Sequence, residues 1–177
     1  MRGQEVVLAV SLHRLDSIRI AVPDAESQRR LYTAAGFSTD ATGSRFGGSH
    51  GGHQVVLDEG EFRRLLNVDL LANDASDISV IASRLTGLGV ASTIRDGRLV
   101  ATDPATRVEF SVHVADAPVV SRAEVMPHNG PGHNERVNRR ASGVIPRARA
   151  PRRLGHIVIG SPDIDGTRSE EHTSELQ

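Results

Sequence analysis

The 177-residue sequence has no cysteine, no tryptophan and no lysine, and only five aromatic residues, four Phe and one Tyr. Without cysteine there is no disulfide framework and no thiolate chemistry, and a reducing compartment is allowed. So few aromatic rings leave no stacking platform for single-stranded nucleic acid. The longest early apolar run, residues 6–10, is too short for a signal-peptide core or a membrane span. A cytoplasmic location is therefore expected. All 21 basic residues are arginine, which reads as the codon usage of a GC-rich genome rather than as chemistry.

What is present is a soluble, globular composition, 38% hydrophobic and 24% charged. The net charge of −1 is unevenly laid out. Residues 1–117 hold 12 Arg against 15 acids, and residues 118–153 hold 8 Arg against 2 acids. The second stretch carries Pro118, Pro127, Pro131, Pro146 and Pro151 and lacks an apolar period. It reads as a linker or extended arm. Its Arg run (Arg136, Arg139, Arg140, Arg147, Arg149, Arg152, Arg153) could meet phosphates, but no nucleic-acid motif accompanies it. The preferred reading is a solvated arm lying on its own acidic domain or on a neighbouring subunit. A homo-oligomer without nucleic-acid or membrane partners is expected.

Residues 1–117 divide into two similar halves. In residues 15–22, Ile18, Ile20 and Val22 alternate with Ser17 and Arg19, the period of a half-buried strand. Asp24 is placed to cap a helix running to about Ala35, with Leu31, Tyr32 and Ala35 on one face and Gly36 at its end. Three short strands follow. The second half repeats this order from residue 65: a strand, then a helix with Ile78, Ile81, Ala82, Leu85 and Leu88 on one stripe. Asp96-Gly97 between two β-rich runs signals a hairpin. Residues 15–115 thus read as βαβββ twice over.

A longer repeat crosses the linker. LDSIRIAVPD at 15–24 and LGHIVIGSPD at 154–163 match at five of ten positions with an offset of 139. A second copy of the whole unit is expected to begin at Leu154.

These features resemble the vicinal oxygen chelate superfamily, and within it the type I extradiol ring-cleavage dioxygenases. PRRLGHIVIGSPDID (151–165) is similar to the opening strand of their catalytic second domain, and GPGHNERVNRRASGV (130–144) to the linker before it. The resemblance implies an α+β fold, paired βαβββ modules in a cupped mixed sheet. It also implies two His and one Glu holding Fe(II), with open positions for a catechol-type substrate and O2. Carried over residue by residue, His156 alone falls on a metal-ligand position, and its counterpart in the first domain is Ser17. The first domain then keeps the fold without the metal, and the fragment itself is expected to be inactive.

Other candidates are weaker. His50 and His53 form H-x-x-H inside the Gly-rich stretch GGSHGGH, which reads as a loop. Asp103-Pro104 with Glu109 resembles the turn and final strand that carry the superfamily's Glu ligand, at a spacing one residue short. Where the second module opens, Asn67 and Asp69 stand in place of a His. No tight metal site is expected within residues 1–150.

The last ten residues, RSEEHTSELQ, put Glu170 and Glu171 where the repeat offset requires the apolar pair Leu31 and Tyr32. This decapeptide matches the translation of a common sequencing-adapter read. The natural sequence is expected to stop at Thr167. The expected layout is a non-metallated domain (1–117), a linker (118–153), the first strand of a truncated catalytic domain (154–167) and an artefactual tail (168–177). The runner-up is a non-enzymatic, bleomycin-resistance-like binder of a small molecule. Glyoxalase-like isomerisation, a third reading, needs metal ligands shared between modules.

Overall fold

The computed structural model describes residues 12–116, 129–134 and 150–164. The first module opens with β1 (Leu12–Val22), whose alternation sends Ile18 and Val22 into the core. Asp24 caps α1 (Ala25–Ala34), its carboxylate accepting the Ser27 N–H at 2.8 Å. The helix stops as Gly36 turns left-handed at φ +90°, with Gly36 N–H on the Thr33 carbonyl and Phe37 N–H on that of Tyr32. The rings of Tyr32 and Phe37 meet edge-on across this stop, 5.5 Å apart. Strands β2 (Ser38–Thr39), β3 (Arg45–Gly47) and β4 (Val55–Glu59) complete the module.

The second module repeats the order: β5 (Arg64–Ala72), α2 (Ala75–Gly87), β6 (Ser92–Arg95), β7 (Arg98–Thr102) and β8 (Glu109–Val114). Asp74 caps α2 through the N–H groups of Ser76 and Asp77. Gly89 and Val90 end it with the same pair of backbone bonds that ends α1. Asp96 and Gly97 both take positive φ, +51° and +73°, the two-residue turn expected between β6 and β7.

The eight strands form one mixed sheet in the order β2-β3-β4-β1-β5-β8-β7-β6. β1 lies parallel to β4 and β5 parallel to β8. The modules join where β1 and β5 run antiparallel. This is the α+β arrangement of paired βαβββ modules that the sequence predicts.

Both helices cover the same face. Ile18, Val22, Val55, Leu57 and Val68 form one core with Tyr32 of α1 against it. Ala72, Leu99 and Val112 form another with Ile78, Ile81 and Leu85 of α2, and Leu70 touches both. Leu31, expected on the buried face of α1, is 59% exposed. Adjacent helical residues point about 100° apart, and Tyr32, packed between Phe37 and Phe46, takes the inward direction. No helix among the described residues is long and apolar enough to cross a membrane.

In the 118–153 stretch, β9 (Asn129–Gly130) and β10 (His133–Asn134) pair as a short hairpin. Farther on, residues 150–159 dock on the first module. The carbonyls of Pro151 and Arg152 accept the N–H groups of Ser49 and His50 at 2.8 and 3.0 Å. A Cβ on Gly48 would lie 2.5 Å from the Arg152 carbonyl oxygen, so only glycine admits this approach. Leu154, Ile157 and Ile159 pack against the first core. Arg136, Arg139, Arg140, Arg147 and Arg149 of the basic run, and the tail 168–177, lie outside the described residues.

Candidate functional site

With both helices on one face, polar side chains collect on the other, where the ladders set them in rows. Ser17 of β1 stands opposite Asp69 of β5, and Asp69 opposite Ser111 of β8. The next row is Arg19, Asn67 and Glu109. Bulges in the β1–β5 ladder separate the rows from their apolar neighbours, one between Leu15 and Ser17 and one between Arg19 and Ile20.

Asp69 is the hub. Its Oδ2 accepts the hydroxyl of buried Ser17 at 2.8 Å. Its Oδ1 accepts the hydroxyl of buried Ser111 and, at 2.5 Å, Nη1 of Arg98 from β7. The same Nη1 donates to Ser111 Oγ at 3.1 Å. Burial works against the ionised carboxylate. The hydrogen bonds from Ser111 and Ser17 and the charge and hydrogen bond of Arg98 outweigh it, and the Asp69 pKa falls below the ordinary 3.8. Beside this cluster, Asn67 Nδ2 donates to Glu109 Oε1 at 3.0 Å and to Ser111 Oγ at 3.3 Å. Arg19 pairs with Asp58 of β4 at 3.2 Å. A hollow of about 430 Å³ opens over these groups, lined by Arg19, Asn67, Asp69, Arg98, Glu109 and Ser111. A second hollow of about 470 Å³, at the β6 edge, carries one charged group, Arg107, and no acid–base pair.

Of the positions that the sequence resemblance assigns to metal ligands, Ser17 and Asp69 are brought together, but not with ligand chemistry. Ser17 and Ser111 offer neutral hydroxyls, and the Arg98 guanidinium already neutralises Asp69. A second cation there meets electrostatic repulsion, so this set does not fit Fe(II). Glu109 lies on the polar face, displaced along β8 by one row from the Ser17–Asp69 row rather than turned to the opposite face. The short spacing of the preceding turn is absorbed without a change of face.

The remaining candidates lie apart. His50 accepts the Nε–H of Arg152 on its Nε2 at 3.2 Å. Desolvation, then the charges of Arg152, Arg153 and Arg14, push its pKa below 6.5. His53 is exposed. His156 is exposed on the docked segment, its neighbours Leu154 and Ile157 facing the core. Among the described residues, no three His, Asp or Glu side chains converge to hold a metal ion.

Sequence reasoning missed Arg98 and Ser111. The available signal was Asp69 itself, a carboxylate on a central strand that calls for a cation. Which cation answers it depends on the β5-β8-β7 strand order, which links residues 29 apart in the chain.

No family model and no curated protein matches the chain. Among solved structures, it is similar to a catechol 2,3-dioxygenase (12% identity, TM-score 0.51, 60% of this chain and 40% of that one). It is also similar to homoprotocatechuate 2,3-dioxygenase from Brevibacterium fuscum (16%, 0.51, 67% and 36%). A third match is BphC, a halotolerant catechol dioxygenase (10%, 0.52, 60% and 41%). At these identities the likeness is one of fold. The chain spans about two fifths of the length of these structures.

Proposed function

We propose, from the premise that residues 12–116 carry the vicinal oxygen chelate fold, that this chain is the first domain, linker and opening catalytic strand of an extradiol ring-cleavage dioxygenase. The intact parent acts on a catechol-type aromatic with O2. Its Fe(II) belongs to the second domain, where His156 is the first ligand and the others follow Thr167. The parent is a cytoplasmic homo-oligomer. The observation that carries this reading is the repeat of the β1 sequence at 154–163, with His156 where β1 has Ser17. The similarity to longer dioxygenase structures supports it.

In this reading the first domain does no redox chemistry. Its Ser17–Asp69–Ser111–Arg98 cluster is a structural centre, and the chain as it stands does not turn over substrate. A lone imidazole neither holds Fe(II) against water nor orients two reactants on adjacent positions. The test is an aerobic assay with added Fe(II) and a panel of catechols, following the yellow ring-opened product. Turnover by a chain extended along an intact reading frame, and none by the 177 residues, supports the proposal. Turnover by the 177 residues that disappears in His156→Ala overturns the assignment of the missing ligands.

The hollow of about 430 Å³ with charged groups of both signs favours a second reading, a domain that binds a small polar molecule without transforming it. An intact reading frame lacking a further His and Glu after residue 167 would favour that reading.

A further inference from the structure

We propose that Ser17, Asp69 and Ser111 form a guanidinium-binding cradle, filled in cis by Arg98, at the place where the resemblance puts a metal. The cradle lies wholly within residues 12–116 and is independent of any catalytic domain that follows them.

Asp69 is the centre of the cradle. It lies on a central strand with only 21% of its side chain exposed. A carboxylate there needs both a counter-charge and filled hydrogen-bond sites. The two serines supply hydroxyl donors from the strands on either side, β1 and β8. Hydroxyls carry no charge, so a cation is still required. Arg98 reaches in from β7, and its Nη1 touches Asp69 Oδ1 and Ser111 Oγ together. One nitrogen thus bridges a carboxylate and a neutral oxygen. A guanidinium suits this surrounding because it is weakly hydrated and its donors are fixed in a plane. A divalent cation would instead ask for more anionic or imidazole ligands than the cradle offers.

The location gives the cation a task. Ser17 belongs to the first module, and Asp69, Ser111 and Arg98 to the second. The cluster therefore ties the modules together across the β1–β5 seam. In the reading proposed above, a metal in the second domain would do the equivalent work with an ion from solution. Here the cation is covalently part of the chain, so the first domain needs no ion to close its polar face.

The experiment uses the full chain with Arg98→Ala. Its melting temperature is expected to fall by several degrees, the response of a domain this size to losing about 1 kcal/mol. Ethylguanidinium chloride at millimolar concentration is expected to restore the melting temperature saturably in the variant and to leave the wild type unmoved. Sodium chloride, ethylammonium and Mn(II) at equal concentration are expected not to. Asp69→Asn combined with Arg98→Ala should lose the ethylguanidinium response. Should Arg98→Ala fail to fold, the readout is refolding yield with and without ethylguanidinium. Wild-type melting of Arg98→Ala overturns the proposal, as does loss of stability or yield that ethylguanidinium does not repair. Better rescue by Mn(II) overturns it too, because the cradle would then be a metal site.

Discussion

Gln54 and Leu154, one hundred residues apart, are joined by a 2.8 Å hydrogen bond from the Leu154 N–H to the Gln54 side-chain oxygen. Gln54 is 1% exposed, and its side-chain nitrogen donates to the Gly51 carbonyl, so a fully buried amide is held at both ends. The bond fastens residues 150–159 to the loop between β3 and β4.

Gln54→Ala removes the acceptor and leaves the Leu154 N–H without this partner. Docking of residues 150–159 is expected to weaken by about 1–2 kcal/mol. Amide hydrogen exchange at Leu154 should accelerate about 5- to 30-fold, while β1 and β5 amides stay protected. Unchanged exchange at Leu154 would mean that the apolar contacts alone hold the segment.

Gly48→Ala attacks the same docking from the other side. The added methyl would lie 2.5 Å from the Arg152 carbonyl oxygen and 2.8 Å from that of Pro151. The segment must move away, and limited proteolysis is expected to cut within residues 150–160 in the variant before it cuts the wild type. The far-ultraviolet circular dichroism should stay as in the wild type, because Gly48 lies outside the ladders of the eight-stranded sheet.

The folds of the modules were legible because their stops and starts are local. Asp24 and Asp74 cap helices with their own carboxylates, and Gly36 and Gly89 end them by taking a conformation other residues resist. Asp96-Gly97 sets its hairpin by the same local rule. The site was legible only in part. Ser17, Asn67, Asp69 and Glu109 could be placed on strands, but Arg98 enters through strand order, and strand order is decided by packing over the whole sheet. Leu31 was misplaced because a short apolar pattern does not say which of two adjacent residues turns inward.

Acid should loosen the polar face before it exposes the core. Asp69 has its pKa below 3.8 in the folded chain, so its contribution is complete above that value and fades as pH falls beneath it. The wild type should therefore lose melting temperature steeply below about pH 4, whereas Asp69→Asn starts lower and shows a shallower fall there. Equal slopes in the two proteins would remove Asp69 from the account of acid unfolding.

His156→Ala should leave the melting temperature of the 177-residue chain nearly untouched, since the side chain is exposed. A change under about 0.5 kcal/mol is expected. In the extended parent the same substitution should abolish stoichiometric iron, measured by metal analysis after purification without a His tag. Full iron occupancy in that variant would refute its assignment as a ligand.

The β1–β5 seam has a topological consequence. Glu59 ends β4 beside Val22 of β1, and Arg64 begins β5 beside Ala21 on the other side of β1. The chain between them, residues 60–63, must step over β1. That crossing is two strand spacings, about 9.5 Å. Five Cα steps reach it with slack, whereas two steps span at most about 7.6 Å. A chain trimmed to one residue at this crossing could not lay its own modules side by side. Its β1 could reach a β5 only on another copy, so the length of this link decides whether the sheet closes within one chain or is traded between two.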